Sequence, residues 1–172
     1  MKLLKEKLES IFSGIQVSII EQDRLIISAQ KDEILSILSF LKGEGYTHLG
    51  LISCVDWLEE KEFELVYVLS AYMQKDNGYT DKEKTNIILK TRISRENPEF
   101  FTVISIFKNA EPYEREIYEF YGIDFKGHPR LTPLFLEREY KMPPFRKDFD
   151  TREYVKEVFD KIPFVENKDI KK

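Results

Sequence analysis

The sequence predicts an α+β fold: a mixed β-sheet packed with helices, followed by an extended C-terminal arm rich in proline and aromatic residues. Apolar residues recur at helical spacing near the start and again around residues 34–41. Strand-like runs occupy 15–20, 24–29, 47–55, 63–73 and 85–93. The 40 residues from Glu111 to Asp150 then hold five of the seven prolines and nine of the 23 aromatics. Proline at that density breaks regular structure. The division this implies is an α/β body over residues 1–122 and an arm with a short tail over 123–172.

Leu3, Leu4, Leu8, Ile11 and Phe12 share one helical face, and Gly14 is placed to end that helix. Two short strands follow, joined by the polar Glu21-Gln22-Asp23 turn. Asp32 is the expected N-cap of a second helix, whose stripe is Ile34, Leu35, Leu38 and Leu41 and whose end is Gly43. Gly43 and Gly45 bracket the turn into the strand 47–55. Along 63–73, Phe63, Leu65, Tyr67, Leu69 and Ala71 fall on one parity and Val66 and Val68 on the other, which suits a strand covered on both faces. Asn77-Gly78 marks a hairpin turn leading to the strand 85–93. Phe100–Phe107 reads as a further apolar element after a break at Ser94–Pro98, and Arg152–Lys161 as a short helix before Pro163. Lys171-Lys172 is expected to fray.

Composition excludes several functions. Lys+Arg 27 against Asp+Glu 31 gives a formal charge of −4, without the basic excess of a nucleic-acid binder. One cysteine (Cys54) and two histidines (His48, His128) cannot form a disulfide framework, an iron–sulfur site or a Cys/His zinc site. No run approaches the roughly 20 apolar residues of a membrane span, and the charged start lacks the apolar stretch of a signal peptide. A cytosolic setting is expected, with membrane contact only through partners. Glu (21) and Lys (19) far outnumber Gln (4) and Asn (5), a bias that resembles thermophile composition, with an ordinary AT-rich genome as the alternative source.

The densest ionisable stretch is Glu111–Tyr121, read as a helix with Tyr113, Ile117, Phe120 and Tyr121 on one face. Glu111–Arg115 and Arg115–Glu119 stand at i,i+4, which reads as a salt-bridged surface helix ending at Gly122. Glu114 and Glu116 point in different directions on such a helix, so they do not converge as an acid/base pair. His128, in Gly127-His128-Pro129, has no nucleophile motif beside it and reads as a structural histidine held in a loop. Cys54 reads as a buried inert thiol and Asp56 as a turn cap. Arg146-Lys147-Asp148 follows Pro143-Pro144-Phe145, whose extended backbone lets these charges reach away from the body, either into solvent or onto a partner. The arm itself is either a loop packed on its own domain or a segment packed on another protein. There is no phosphate loop, nucleophile elbow or dinucleotide fingerprint. By elimination, binding or assembly, as in a soluble scaffold or regulatory module, is favoured over an acid/base enzyme using Glu114, Glu116 and His128.

Residues 110–131, AEPYEREIYEFYGIDFKGHPRL, resemble the signature of the 30 kDa subunit family of respiratory complex I, the C-type subunits of NADH dehydrogenase. The match runs nearly throughout from Glu114 to Leu131. Pro144–Phe149 resembles that family's closing PLRKDF, and Ser53–Asp56 and Phe63–Leu69 resemble its strands more weakly. Pro112 stands where a tryptophan is usual, Thr132-Pro133 where basic residues are usual, and Asp150 where a proline is usual. These departures, together with the thermophile-like composition, lean slightly towards the homologues in membrane-bound energy-converting [NiFe] hydrogenases. The resemblance implies a cofactor-free, non-catalytic subunit of an oxidoreductase, peripheral on the cytoplasmic side of the membrane. It implies contacts with a large hydrogenase-like subunit, around which the arm wraps, and a small iron–sulfur subunit. Iron–sulfur clusters, and in the hydrogenase branch a NiFe centre, would reside in those partners, and electron transfer would be coupled to ion translocation. It assigns Glu114, Arg115, Glu116, Gly122, His128, Pro129, Arg146, Lys147 and Asp148 to structure and interface, with Gly122 and Gly127 permitting turns and the charges forming desolvated pairs.

Overall fold

A computed structural model describes residues 1–21, 23–71, 74, 75, 78, 79, 85–136 and 140–158. Asn77 of the expected hairpin turn and residues 159–172 lie outside the described residues. Among the described residues, the regular segments are α1 (Lys2–Ile11), β1 (Gln16–Glu21), β2 (Arg24–Ser28), a 3-10 turn (Lys31–Glu33), α2 (Ile34–Gly43), β3 (His48–Trp57), β4 (Glu62–Ala71), β5 (Gln74–Lys75), β6 (Gly78–Tyr79), β7 (Thr85–Ser94), β8 (Glu99–Phe101), α3 (Ala110–Tyr121), β9 (Asp124–Lys126) and α4 (Thr151–Val158).

The main sheet has the order β1-β2-β7-β4-β3. β2 and β7 run parallel and the other neighbours antiparallel, so the sheet is mixed, as expected. Strand periodicity explains the layering: Leu65, Tyr67, Leu69, Ile87 and Leu89 alternate into one buried face. The stripes of α1, α2 and α3 join that face in a single core. Val66 and Val68 on the opposite face are only half buried, so β4 is fully covered on one side rather than two.

Several local expectations change. Helix α1 stops at Ile11, before Gly14, where the Phe12 amide donates to the Leu8 carbonyl. Asp32 makes no cap: residues 31–33 form the 3-10 turn, and α2 begins without a side-chain cap bond. Gly43 stays helical while Gly45, at φ +99°, takes the left-handed turn. Of the expected 100–107 element only residues 100 and 101 are strand, in β8; Val103 and Phe107 enter the core from the irregular stretch that follows. β8 pairs in parallel with β9, and Ile123 and Phe125 are buried in the core just past the expected boundary at Gly122. After Phe125, no described residue is fully buried.

Candidate interaction site: α3 and the C-terminal segment

Helix α3 is tied to the β3 edge at an irregularity in the β3–β4 register between Leu49 and Leu51. Asn109 Nδ2 donates to the Leu49 carbonyl and Tyr113 Oη to the Gly50 carbonyl, each at 2.8 Å. A bulge turns carbonyls out of the ladder, and these two side chains satisfy them.

Glu114 faces inward and is fully buried, which overturns the surface-helix expectation. Its Oε2 accepts the Thr102 hydroxyl at 2.6 Å and its Oε1 the Val103 amide at 2.7 Å. The carboxylate thereby fixes the turn after β8. Burial raises its pKa from 4.5 to about 7, against the opposing pull of those two donors. The neighbouring Tyr67 hydroxyl is fully buried, and its own pKa is driven well up by burial and then by Glu114. Glu116 is half buried and does not converge with Glu114, as the helical spacing requires.

Arg115 pairs with Glu111 at 3.8 Å, but no pair joins it to Glu119. Instead Arg115 donates to the carbonyls of Thr132 and Pro133, at 2.9 and 2.8 Å. Glu119, 8% exposed, accepts the three successive amides of Leu134, Phe135 and Leu136. One face of α3 therefore organises the beginning of the C-terminal segment through a cation that takes carbonyls and an anion that takes amides.

Gly122 ends α3 at φ +75°. A Cβ there would lie 2.9 Å from Pro143 Cγ and 3.1 Å from Arg146 Nη2, so glycine is required by both conformation and space. The segment returns across this gap and satisfies the last carbonyls of the helix: Phe145 N–H donates to Phe120 at 3.0 Å and Arg146 Nε to Tyr121 at 2.8 Å. Arg146 also lies 5.2 Å over the Phe63 ring. Asp56 is 4% exposed at the end of β3 and is an anchor rather than a turn cap. Its carboxylate takes Arg95 through two nitrogens, at 2.9 and 3.3 Å, and the Lys147 amide at 2.8 Å. Arg95 also bonds Asp148. Arg146 and Asp148 thus turn towards the body instead of reaching away from it, while the Lys147 residue is exposed.

His128 behaves as a loop histidine. Nδ1 accepts the Arg130 amide at 3.0 Å and Nε2 lies 3.3 Å from the Glu111 carbonyl, which suits a neutral ring protonated at Nε2. Pro129 is exposed, and Gly127 takes φ +83°. Cys54 is buried, and burial first, then Asp56, pushes its thiol pKa far up, which disfavours the thiolate. Among the described residues, no three His, Cys, Asp or Glu side chains are grouped to hold a metal. No described helix is long and apolar enough to cross a membrane.

The segment also builds a surface that sequence reading missed. Phe120 stacks on Phe145 at 4.2 Å (12°) and on Phe135 at 6.2 Å (13°). Phe145 and Phe135 are 55% and 63% exposed. The signal was the aromatic density itself; which three rings would align depends on the fold.

The family model described as "Respiratory-chain NADH dehydrogenase, 30 Kd subunit" matches residues 27–155. The C subunit of the F(420)H(2) dehydrogenase of Methanosarcina mazei is 36% identical over 129 residues, covering 74% of this chain and 76% of that protein. The C subunit of the NADH-quinone oxidoreductase of a Chelativorans species is 31% identical over 161 residues, covering 91% and 74%. The C/D subunit of the NADH-quinone oxidoreductase of Phocaeicola vulgatus is 36% identical over 131 residues, where the match covers 74% of this chain and 23% of that longer protein. Among solved structures, a chain of the membrane-bound sulfane sulfur reductase, an archaeal respiratory membrane complex, superposes with a TM-score of 0.77 at 27% identity over 98% of both chains. A trypsin-resistant fragment of Nqo5, at 24% identity and a TM-score of 0.61, shares the fold over 76% of this chain and 100% of the fragment.

Proposed function

Since the chain belongs to the 30 kDa subunit family of respiratory-chain NADH dehydrogenases, we propose that it is a cofactor-free structural subunit of a membrane-associated oxidoreductase of the complex I or energy-converting hydrogenase type. It sits in the hydrophilic arm on the cytoplasmic side and supports electron transfer coupled to ion translocation, with iron–sulfur clusters, and in the hydrogenase case a NiFe centre, in its partners. The residues after Phe125 dock on the large hydrogenase-like subunit, near the small iron–sulfur subunit. The observation that carries this reading is the exposed Phe135–Phe120–Phe145 stack, held against α3 and the sheet by polar contacts. Aromatic residues, phenylalanine included, are enriched at the cores of protein interfaces, where a few residues carry most of the binding energy. The C/D relative, in which the matched region is 23% of one longer protein, supports close association with a second subunit.

The test is assembly. Full-length chain carrying Phe135→Ala and Phe145→Ala is returned to cells lacking the native copy, and the complex is purified through a tag on the chain. The expected result is loss of the large and small subunits at unchanged folding, with at least about 2 kcal/mol lost across the two rings. Retention of both subunits at wild-type stoichiometry rejects the reading.

A further inference from the structure

Phe135 presents a physical problem. Its ring is 63% exposed, so burial cannot fix its place, yet it lies nearly parallel to Phe120 at 6.2 Å. Its backbone must hold it. Residues 134–136 are in no helix or strand, so no ladder supplies that restraint.

Glu119 does. Its Oε2 accepts the amides of Leu134 and Phe135, each at 2.9 Å, and its Oε1 accepts Phe135 at 3.2 Å and Leu136. Three successive amides turned to one side form the concave arrangement with which loops capture anions, and here the anion is a side chain of the same protein. Bonds to an ionised acceptor are about twice as strong as neutral ones, and this carboxylate is itself shielded at 8% exposure. Glu119 is also rigidly placed. It projects from the last turn of α3, one residue before Phe120, the central ring of the stack. One helical turn therefore sets both the central ring and the backbone that carries an outer one.

We propose that Glu119 is the positioning residue of the partner-binding surface, its carboxylate holding residues 134–136 in the conformation that presents Phe135 alongside Phe120 and Phe145 before a partner arrives. The proposal rests on the reading that this stack meets the large subunit. A surface assembled in advance spares the complex the cost of ordering those residues on binding. The carboxylate is needed because a glutamine has the same shape but only one acceptor oxygen, and its NH2 group would face one of the three N–H groups as a second donor.

The test uses the full chain in two measurements. In the first, amide hydrogen exchange is followed in wild type and Glu119→Gln. Exchange at residues 134–136 is expected to rise at least about tenfold, with Leu65 and Leu89 in the core unchanged. In the second, purified chain is titrated onto membranes from cells lacking the native copy. Glu119→Gln is expected to rebind about 10- to 100-fold more weakly. Adding Glu119→Gln to Phe135→Ala should then cost little more, because the residue it positions is already gone. A purely structural role would give additive losses.

Protection at 134–136 that survives Glu119→Gln, wild-type rebinding by Glu119→Gln alongside weakened rebinding by Phe135→Ala, or additive losses would each overturn the assignment. Wild-type rebinding by Phe135→Ala with Phe145→Ala would instead reject the partner reading and the assignment with it. Should Glu119→Gln fail to fold, Glu119→Asp serves in the same measurements: it keeps the charge but draws it back by one methylene, and the same exchange and rebinding outcomes decide.

Discussion

The sheet body and the C-terminal segment are held by different forces. The body buries Phe63, Leu65, Tyr67, Leu89 and Phe125 almost completely. After Phe125, no described residue is fully buried, and the segment is fixed by side chains bonding to backbone: Arg115 to Thr132 and Pro133, Glu119 to residues 134–136, Arg146 to Tyr121, Asp56 to Lys147. Non-directional burial gives cooperative stability. Directional polar contacts give position at little net stability, because each replaces bonds to water. A segment held this way can leave its aromatic rings exposed, which a segment held by burial cannot.

The largest expected effect belongs to the body. Leu65→Ala should lower global stability by about 2–5 kcal/mol in urea unfolding, through the transfer and cavity costs of a fully buried site. A loss below about 1 kcal/mol would mean that burial does not dominate there.

Glu114 comes next, as the fully buried ionisable group of α3. Its folded pKa of about 7 lies above the unfolded 4.5, so the fold favours the protonated form. That contribution is fully present below about pH 4.5 and is lost as pH rises to about 7, roughly 3 kcal/mol in all. Glu114→Gln should remove this slope from a pH series of unfolding curves. An unchanged slope would assign it to other groups.

Gly122→Ala meets both a left-handed backbone and the Pro143 ring, and should cost about 1–2 kcal/mol. Limited proteolysis should show cleavage after residue 130 appearing well before the body is cut. Simultaneous cleavage of both would show that the segment is not separable. Smallest is Asp148→Asn. The Asp148 carboxyl is held below its usual range first by its bond to Arg95, but its side chain is 37% exposed. Solvent screening limits the effect to below about 1 kcal/mol, largest at low salt and lost in about 1 M NaCl.

Much of the body was legible in the residues. Alternation at 63–69 and the 3.6-residue stripe at 34–41 are local patterns, and both elements formed where those patterns lie. The helix over 110–121 and the turn at Gly122 were equally local. Boundaries moved where two signals competed: Gly14 and Asp32 looked like a stop and a start, but the chain turned earlier at Phe12 and tightened into a 3-10 turn at 31–33. The family motif also lay in the sequence, because its residues are contiguous.

The roles of the charged residues did not. Glu119 sits at a spacing from Arg115 that suits a salt bridge, and nothing local says that it will take amides 15–17 residues away. Asp56 and Arg95 are 39 residues apart, and Asp148 joins them across a further 53. By itself the sequence determined which stretches become helix and strand, which family the chain resembles, and that an unusual Pro/aromatic segment follows the body. Only the tertiary structure decided that Glu114 is buried, that Arg146 and Asp148 turn inward, and that three phenylalanines align. Periodicity reports the neighbours one or two turns away along the chain, whereas a carboxylate's partners are set by whichever strands and helices the topology brings beside it.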